Sequence, residues 1–243
     1  MQIMPQIEII DLALYLKQAK ALVISDVHMG YEEALNKQGI LVPRKQYPET
    51  LQRLEKMFAQ LEREKKKIDL IIINGDIKHE FGAISETEWR HTLRLLDYLT
   101  KKCRRIILIK GNHDNIVEPI ARKRNVEIVD RYVLHDVLFI HGDVLRDDLI
   151  TKKVKIIIIG HEHCAISITQ WPRTEKFKCF LKGVYKQKTL IAMPSFNLVT
   201  EGTDVLKEKL LSPFLQRNLK EFEVYIVGDK EVLKFGKMGN VKG

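Results

Sequence analysis

Residues with metal-binding chemistry recur at regular places in this 243-residue chain: Asp26 and His28, then Asp76, then Asn112, His113 and Asp114, then His141, then His161 and His163. Two carboxylates, one amide and four imidazoles (Asp26, Asp76, Asn112, His28, His141, His161, His163) form a mixed oxygen and nitrogen donor set. Such a set suits Mn, Fe, Zn or Co better than Ca or Mg alone. It exceeds one tetrahedral site, and it matches two ions sharing a bridging carboxylate, ~3.5–4 Å apart. Asp26-x-His28 and His161-x-His163 each put both side chains on one side of an extended segment.

Each group ends an apolar run. Leu22-Val23-Ile24-Ser25 leads into Asp26, Leu70 to Ile73 into Gly75-Asp76, and Ile106 to Ile109 into Gly111-Asn112. Leu138-Phe139-Ile140 leads into His141-Gly142-Asp143, and Ile156 to Ile159 into Gly160-His161. Continuous β-branched runs are the mark of strands buried on both faces. In open α/β sheets ligands bind outside the carboxyl ends of the strands. One such turn would be an ordinary turn aspartate; five in succession point to a metal site.

Between these runs, helices are expected from Pro48 to about Lys66, with Leu51, Leu54, Phe58 and Leu61 buried, and from a Ser85–Glu88 capping box, with Trp89, Leu93, Leu96 and Leu99 facing the core. A short helix is expected after Tyr31, and another over 118–125. The alternation of strand and helix to residue 110 implies a parallel sheet. An edge strand or hairpin is expected over 7–16. Strands are expected near 126–129, 132–134, 137–140, 166–170, 177–184 and 188–193. Phe222–Val227 and Val232–Phe235 flank a two-residue Gly228-Asp229 turn. Residues 197–220 read as a loop with a short helix at 204–210. The whole, 1–243, reads as one domain.

No apolar run is long enough to span a membrane, and residues 1–15 do not have the pattern of a signal peptide. Cys103, Cys164 and Cys179 lack framework spacing and fit a reducing cytoplasm; Cys164 reads as inert. The net charge of +9 suggests an anionic partner. Its main clusters, however, precede the strands: Lys65 to Lys67, Lys101 to Arg105 and Lys152 to Lys155. They should therefore lie at the edge away from the chemistry. Lys78, Arg122, Lys123, Arg124, Arg146 and Arg173 are the basic candidates nearer to it. Tyr31, Tyr47 and Trp171 could stack bases. His91 and His135 read as structural, and Asp143 as either a supporting or a turn residue.

In order, Asp26-x-His28, Gly75-Asp76, Gly111-Asn112-His113-Asp114, His141 and Gly160-His161-x-His163 resemble the signature of the calcineurin-like metallophosphoesterases over residues 26–163. The resemblance implies a four-layer αββα sandwich of two mixed sheets flanked by helices. It implies two divalent ions, with manganese foremost and Fe, Zn or Co as alternatives. Asp26, His28, Asp76 and His163 would hold one ion; Asp76, bridging, would hold the other with Asn112, His141 and His161. His113 would face the substrate phosphate, oriented by Asp114 or His79. Gly75-Asp76-Ile77-Lys78-His79 is similar to the Gly-Asp-x-x-His motif of double-strand-break nucleases, whose histidine is catalytic. Met193 to Asn197, Gly202-Thr203-Asp204 and Leu211-Ser212-Pro213 resemble small archaeal SbcD-related phosphoesterases. The DNA-capping domain and helical arm of the full nucleases have no counterpart here, which argues against processive double-strand cleavage.

The resulting expectation is a phosphoesterase that cleaves phosphodiesters by attack of a hydroxide bridging the ions, with DNA or RNA as a candidate substrate. The alternatives are a small-molecule phosphatase or cyclic-nucleotide phosphodiesterase, and a non-catalytic scaffold of the same fold. Some relatives become scaffolds by losing the catalytic histidine, and His113 is present. The sequence leaves oligomeric state open.

Overall fold

The computed structural model describes residues 1–82, 84–229 and 231–241. The first sheet is built from β1 (Gln2–Met4), β2 (Ile7–Ile10), β3 (Ala13–Leu16), β4 (Ala21–Ile24), β5 (Leu70–Asn74), β6 (Ile106–Ile109) and β7 (Glu127–Val129), adjacent in that order. β1 to β4 form an antiparallel meander, and β4 to β7 are parallel. The crossovers carry α1 (Tyr31–Lys37), α2 (Gln46–Arg63), α3 (Glu86–Lys102) and α4 (Glu118–Arg122).

The second sheet contains β8 (Tyr132–Leu134), β9 (Val137–Phe139), β10 (Ile156–Ile159), β11 (Cys164–Gln170), β12 (Arg173–Tyr185), β13 (Lys188–Ala192) and β14 (Thr203–Asp204), in the order β14-β11-β12-β13-β10-β9-β8. β15 (Glu223–Val227) pairs with β12, and β16 (Val232–Lys237) pairs with β15. β9, β10 and β13 are parallel, the other pairs mostly antiparallel, so both sheets are mixed.

Side-chain alternation joins the layers. Ile156 and Ile158 enter the core shared by both sheets, whereas Ile157 and Ile159 enter a second core on the outer face. Val205, Phe214, Leu215, Leu219 and Phe222 cover that outer face. The first sheet carries its helices on its own outer side; Leu54, Met57, Phe58 and Leu61 of α2 are buried there, with Leu95, Leu96 and Leu99 of α3.

The structure departs from the sequence reading in several places. α2 starts at Gln46, two residues before Pro48, because Gln46 is itself buried and bonded. Leu51, Trp89 and Leu93 are only half-buried, and Leu95 takes the central place on α3. No helix forms over 204–210: Asp204 Oδ1 accepts from Leu206 N (3.0 Å) and Glu208 Oε1 accepts from Asp204 N (2.9 Å). Such local side-chain bonds compete with a helix. The last hairpin is closed by four residues, not two, because Val227 pairs with Val232 and both valines then pack on the core; Lys230 lies outside the described residues.

The parallel registers put Lys65 to Lys67, Lys101 to Arg105 and Lys152 to Lys155 before the first residues of β5, β6 and β10, at the amino edge. No helix among the described residues is long and apolar enough to cross a membrane.

Candidate metal centre

Every strand that ends in a donor ends at one edge: β4, β5 and β6 of the first sheet, β9 and β10 of the second. The backbone turns sharply there. Asp26, His28, Asp76, His161 and His163 all adopt positive φ, between 49° and 66°. Left-handed backbone is uncommon for non-glycine residues, and clusters of it mark sites held by the surrounding structure. The turns are pinned across the molecule: His28 N donates to Asp76 O (2.8 Å), Asp26 N to Gly75 O (3.0 Å) and Phe196 N to Ser25 O (2.7 Å). Gly75 and Gly111 are among the glycines required by close approach. A Cβ at Gly75 would strike the His141 imidazole, and one at Gly111 would strike the Asp76 carboxylate.

The side chains gather into two groups. One ligand atom from each of Asp26, His28 and His163 lies within 4.8 Å of the others, and the same holds for Asp76, His141 and His161. In the first group His28 Nε2 is 3.0 Å from His163 Nε2, and Asp26 Oδ1 is 3.6 Å from His163 Nε2. In the second, His141 Nε2 is 3.2 Å from Asp76 Oδ2, 3.2 Å from His161 Nδ1 and 3.0 Å from Asn112 Oδ1. Asp76 stands between the groups, its Oδ2 also 3.6 Å from His28 Nε2. All seven donors foreseen in the sequence are thus brought together.

The electrostatics suit a cation. Burial works against charge throughout, yet the partners outweigh it on the carboxylates. Asp26 is held well below the ordinary carboxylate range by His163, His141 and His28, and Asp76 is lowered by His141 and His28. His141, also buried, is raised to about 10 by Asp76 and Asp26, the same anions that would hold a metal cation in place of that proton. Burial pushes His28 well below its usual value, helped by His163, and lowers His161 with help from His141. Neutral imidazoles and ionised carboxylates are the forms that bind metals. Ring nitrogens 3.0–3.2 Å apart fit adjacent positions on one ion, given metal–nitrogen bonds of ~2.0–2.1 Å. The donor set therefore fits divalent metal ions.

His113 lies beside these groups. Its backbone N donates to Asp76 Oδ1 (2.8 Å), while its Nδ1 meets the backbone carbonyl of His79, leaving Nε2 as its other ring nitrogen. Of the two expected orienting residues, His79 meets the imidazole through its backbone carbonyl, and the Asp114 side chain turns elsewhere. Asp114 turns its carboxylate to Gly111 N (3.1 Å), and burial, with the charge of Asp76, raises it to about 7. The His79 imidazole stands 3.4 Å from His28 Nδ1 and is lowered to about 4 by burial and by His113. Its ring stacks on His113 with centroids 5.2 Å apart. A backbone carbonyl holds His113 because carbonyl positions depend on the turn, which residue types alone do not reveal.

Several supporting residues escaped the sequence reading. Gln46 Nε2 donates to His28 O (2.8 Å) and its Oε1 accepts from Gly30 N (3.1 Å), clamping the turn after Asp26. Ser25 Oγ donates to Asp26 Oδ2 (2.6 Å) and Asn74 O (2.9 Å). Glu162, between His161 and His163, accepts from Leu211 N (2.8 Å) and Ser212 N (2.7 Å). Ser85 caps α3 by accepting from Glu88 N (3.1 Å), but the Glu88 carboxylate leaves the expected box and accepts from His79 N (2.8 Å) and Glu80 N (2.9 Å).

Glu88→Ala would leave those two half-buried N–H groups without their protein partner. The expected loss is about 2 kcal/mol, twice the lower end of ~1–3 kcal/mol per unsatisfied group because both are half-buried, read as a lower urea midpoint. An unchanged midpoint would show that the His79 turn holds itself.

The basic candidates are largely committed. Lys78 is wholly buried, its Nζ bonded to the carbonyls of Glu80 and His113, so it is unavailable to substrate. Arg124 forms a two-pronged pair with Asp97, Lys123 lies over the Trp89 ring (5.3 Å), and Arg122 is 3.5 Å from Glu118. Asp143 and Arg146 line a cavity of about 450 Å³ together with Asn112, His141 and Lys110. His91 stacks on Tyr47 (4.8 Å), and the three cysteines are buried and free.

A calcineurin-like phosphoesterase family model matches residues 19–165, a span that carries every one of these donors. The chain belongs to that family. Across solved structures this calcineurin-like phosphoesterase resembles the Pseudomonas putida nuclease MPE, at 19% identity and a TM-score of 0.64 over 93% of both chains. That likeness bears out the fold, an α/β architecture of two mixed sheets with flanking helices. A fainter one, to the E. coli phosphoesterase Yfce, has 12% identity and a TM-score of 0.42 over 89% of this chain and 92% of that one. No curated protein sequence matches the chain.

Proposed function

We propose that this phosphoesterase hydrolyses phosphodiester bonds of nucleic acid with two divalent ions, manganese foremost. The observation that carries this reading is the placement of Asp76 between two groups of donors, 3.6 Å from His28 Nε2 and 3.2 Å from His141 Nε2. Asp26, His28 and His163 would hold one ion, Asn112, His141 and His161 the other, and Asp76 both. Bound there, the ions supply Lewis acidity toward phosphoryl oxygens and activation of water near neutral pH.

The chain's own residues do the rest. His113, with Nδ1 fixed by the His79 carbonyl, presents Nε2 to the leaving oxygen and can protonate it. His79 steadies His28 from behind, as partners of metal-binding imidazoles commonly do. Phe81, 55% exposed, lies on His113 with ring centroids 3.7 Å apart. It shields one face of the imidazole from water and offers its outer face to an aromatic group of the substrate.

A diester is favoured over a monoester by this exposed aromatic edge, and the P. putida neighbour is itself a nuclease. The intact His113 and the converging donors speak against a scaffold. Chelation followed by Mn²⁺, tested on a generic diester, a monoester and labelled single-stranded DNA, examines the reading directly. Activity on the diester and the DNA should vanish with chelator and return with Mn²⁺. Turnover that survives exhaustive chelation would overturn the metal reading, and a preference for the monoester would favour the small-molecule phosphatase.

A further inference from the structure

Asn112 and His113 are neighbours in the chain, yet their side chains go to different groups of the candidate metal centre. The His113 imidazole turns toward His28, His79 and Phe81. The Asn112 amide turns to the second group, its Oδ1 3.0 Å from His141 Nε2. Beside Asn112 and His141 opens the cavity of about 450 Å³, walled by the turn after β6 and the turn after β9. Both walls are anchored. Lys110 N donates to Val129 O (2.8 Å), continuing the pairing of β6 with β7, and Gly142 O accepts from the buried Ser212 Oγ (2.7 Å). A substrate at the metal groups thus meets His113 and Phe81 with one part and this cavity with another.

The charged groups of the cavity are not engaged with one another. Among the described residues, Lys110 Nζ and the carboxylates of Asp130 and Asp143 make no hydrogen bond or ion pair. The Arg146 guanidinium meets Asp148 only through Nε, at 3.4 Å in an exposed pair, which leaves its terminal nitrogens free to donate. Two cations and two carboxylates balance, so the lining offers donors and acceptors without net charge. Such a lining disfavours a second phosphate and suits a neutral group with a polar edge. Val144, 57% exposed, adds an apolar surface to it. A nucleobase has that combination, a flat apolar face and an edge of donors and acceptors. The volume lies within the ~300–1,000 Å³ usual for small-molecule sites.

We infer that this cavity is the subsite for the nucleoside that keeps the phosphate after cleavage, with Lys110 and Arg146 donating and Asp130 and Asp143 accepting at its polar edge. The inference rests on the proposed phosphodiesterase reading and names the half of the substrate that the site selects. The scissile phosphate lies over the donor groups, with its leaving oxygen on the His113 side. Hydrolysis forms a P–O bond to the oxygen of water and breaks the P–O bond to the leaving oxygen. That oxygen takes a proton from His113, and a proton of the water restores the imidazole. The retained nucleoside extends from the phosphorus past Asn112 and His141 into the cavity. Phe81 contacts the departing half, so different residues recognise the two halves of the diester.

The test uses two diesters that share a leaving group, the nitrophenyl ester of thymidine monophosphate and nitrophenyl methyl phosphate, each with Mn²⁺. Nitrophenolate release reads both, and only the retained group differs. Wild type should favour the thymidine ester in kcat/KM. Arg146→Gln should lower that preference about 10-fold, the scale of one lost hydrogen bond to a charged group. Val144→Trp, at an exposed position, should lower it at least as far by filling the cavity. Equal kcat/KM for the two esters in wild type would overturn the subsite, as would an unchanged ratio in either variant. Parallel loss of both esters in Arg146→Gln would assign that residue to the metal centre and overturn it as well. If wild type hydrolyses neither ester, the phosphodiesterase reading fails, and binding of thymidine monophosphate decides the subsite. Binding weakened about 10-fold by Arg146→Gln would sustain it; no binding, or binding indifferent to both variants, would overturn it.

Discussion

Asp76→Asn will empty both metal groups together and lower turnover by at least ~10²-fold, the upper range seen when even a supporting partner of a metal ligand is removed. Asparagine keeps the shape of the side chain and can still accept from His113 N, the bond now made by Oδ1 at 2.8 Å. What disappears is the negative charge facing His28 and His141. With it goes the partner that raises His141, so two imidazole groups lose their shared anion in one step. Metal analysis of the purified variant beside wild type reads the effect without relying on activity. Loss of metal from one group only would confine Asp76 to that group, and retention of both would refute the bridging role.

His113→Ala will separate chemistry from metal binding. Turnover should fall by ~10²–10⁴, the usual contribution of a positioned acid or base, while metal content stays at the wild-type level. The reason is local: His113 reaches Asp76 through its backbone N–H, which alanine retains, and its imidazole meets a carbonyl and the rings of His79, Phe81 and His28. A rival arrangement exists, since His28, His79 and His113 could also converge on one ion. Coordinate loss of metal and activity in His113→Ala would establish that arrangement and remove His113 from proton transfer. Retained turnover with retained metal would make the imidazole a spectator.

The donor set was legible because its signal is local and repeated. An isoleucine-rich run ending in glycine and a donor specifies a buried strand and its terminus within a few residues, and the terminus of a parallel strand is where ligands sit. The same logic put the lysine clusters at the opposite edge, because parallel strands share one amino end. Ser85 was legible as a cap for the same local reason, its partner being three residues away.

The misreadings share another cause. Glu88, Gln46 and Lys78 look like a box residue, a loop residue and a substrate-side cation. Their partners lie in other turns, from His79 and Glu80 to His28 and His113, and a polar residue's type does not say which distant backbone group it will satisfy. Asp204 and Glu208 likewise use their side chains on nearby N–H groups and prevent the helix expected there. The length of β12 was hidden because its first four residues, Arg173 to Lys176, are all polar and show no apolar alternation to mark them as strand.

By itself, then, the sequence determined the sheet type, the edge of the chemistry and the identity of the donors. Strand burial and turn chemistry are encoded in consecutive residues, and these follow from them. Only the tertiary structure decided which donors share a group, that Asp76 stands between the groups, and that a carbonyl and not a carboxylate holds His113. Those outcomes depend on angles and distances between turns far apart in the chain, and they are fixed when two sheets pack face to face.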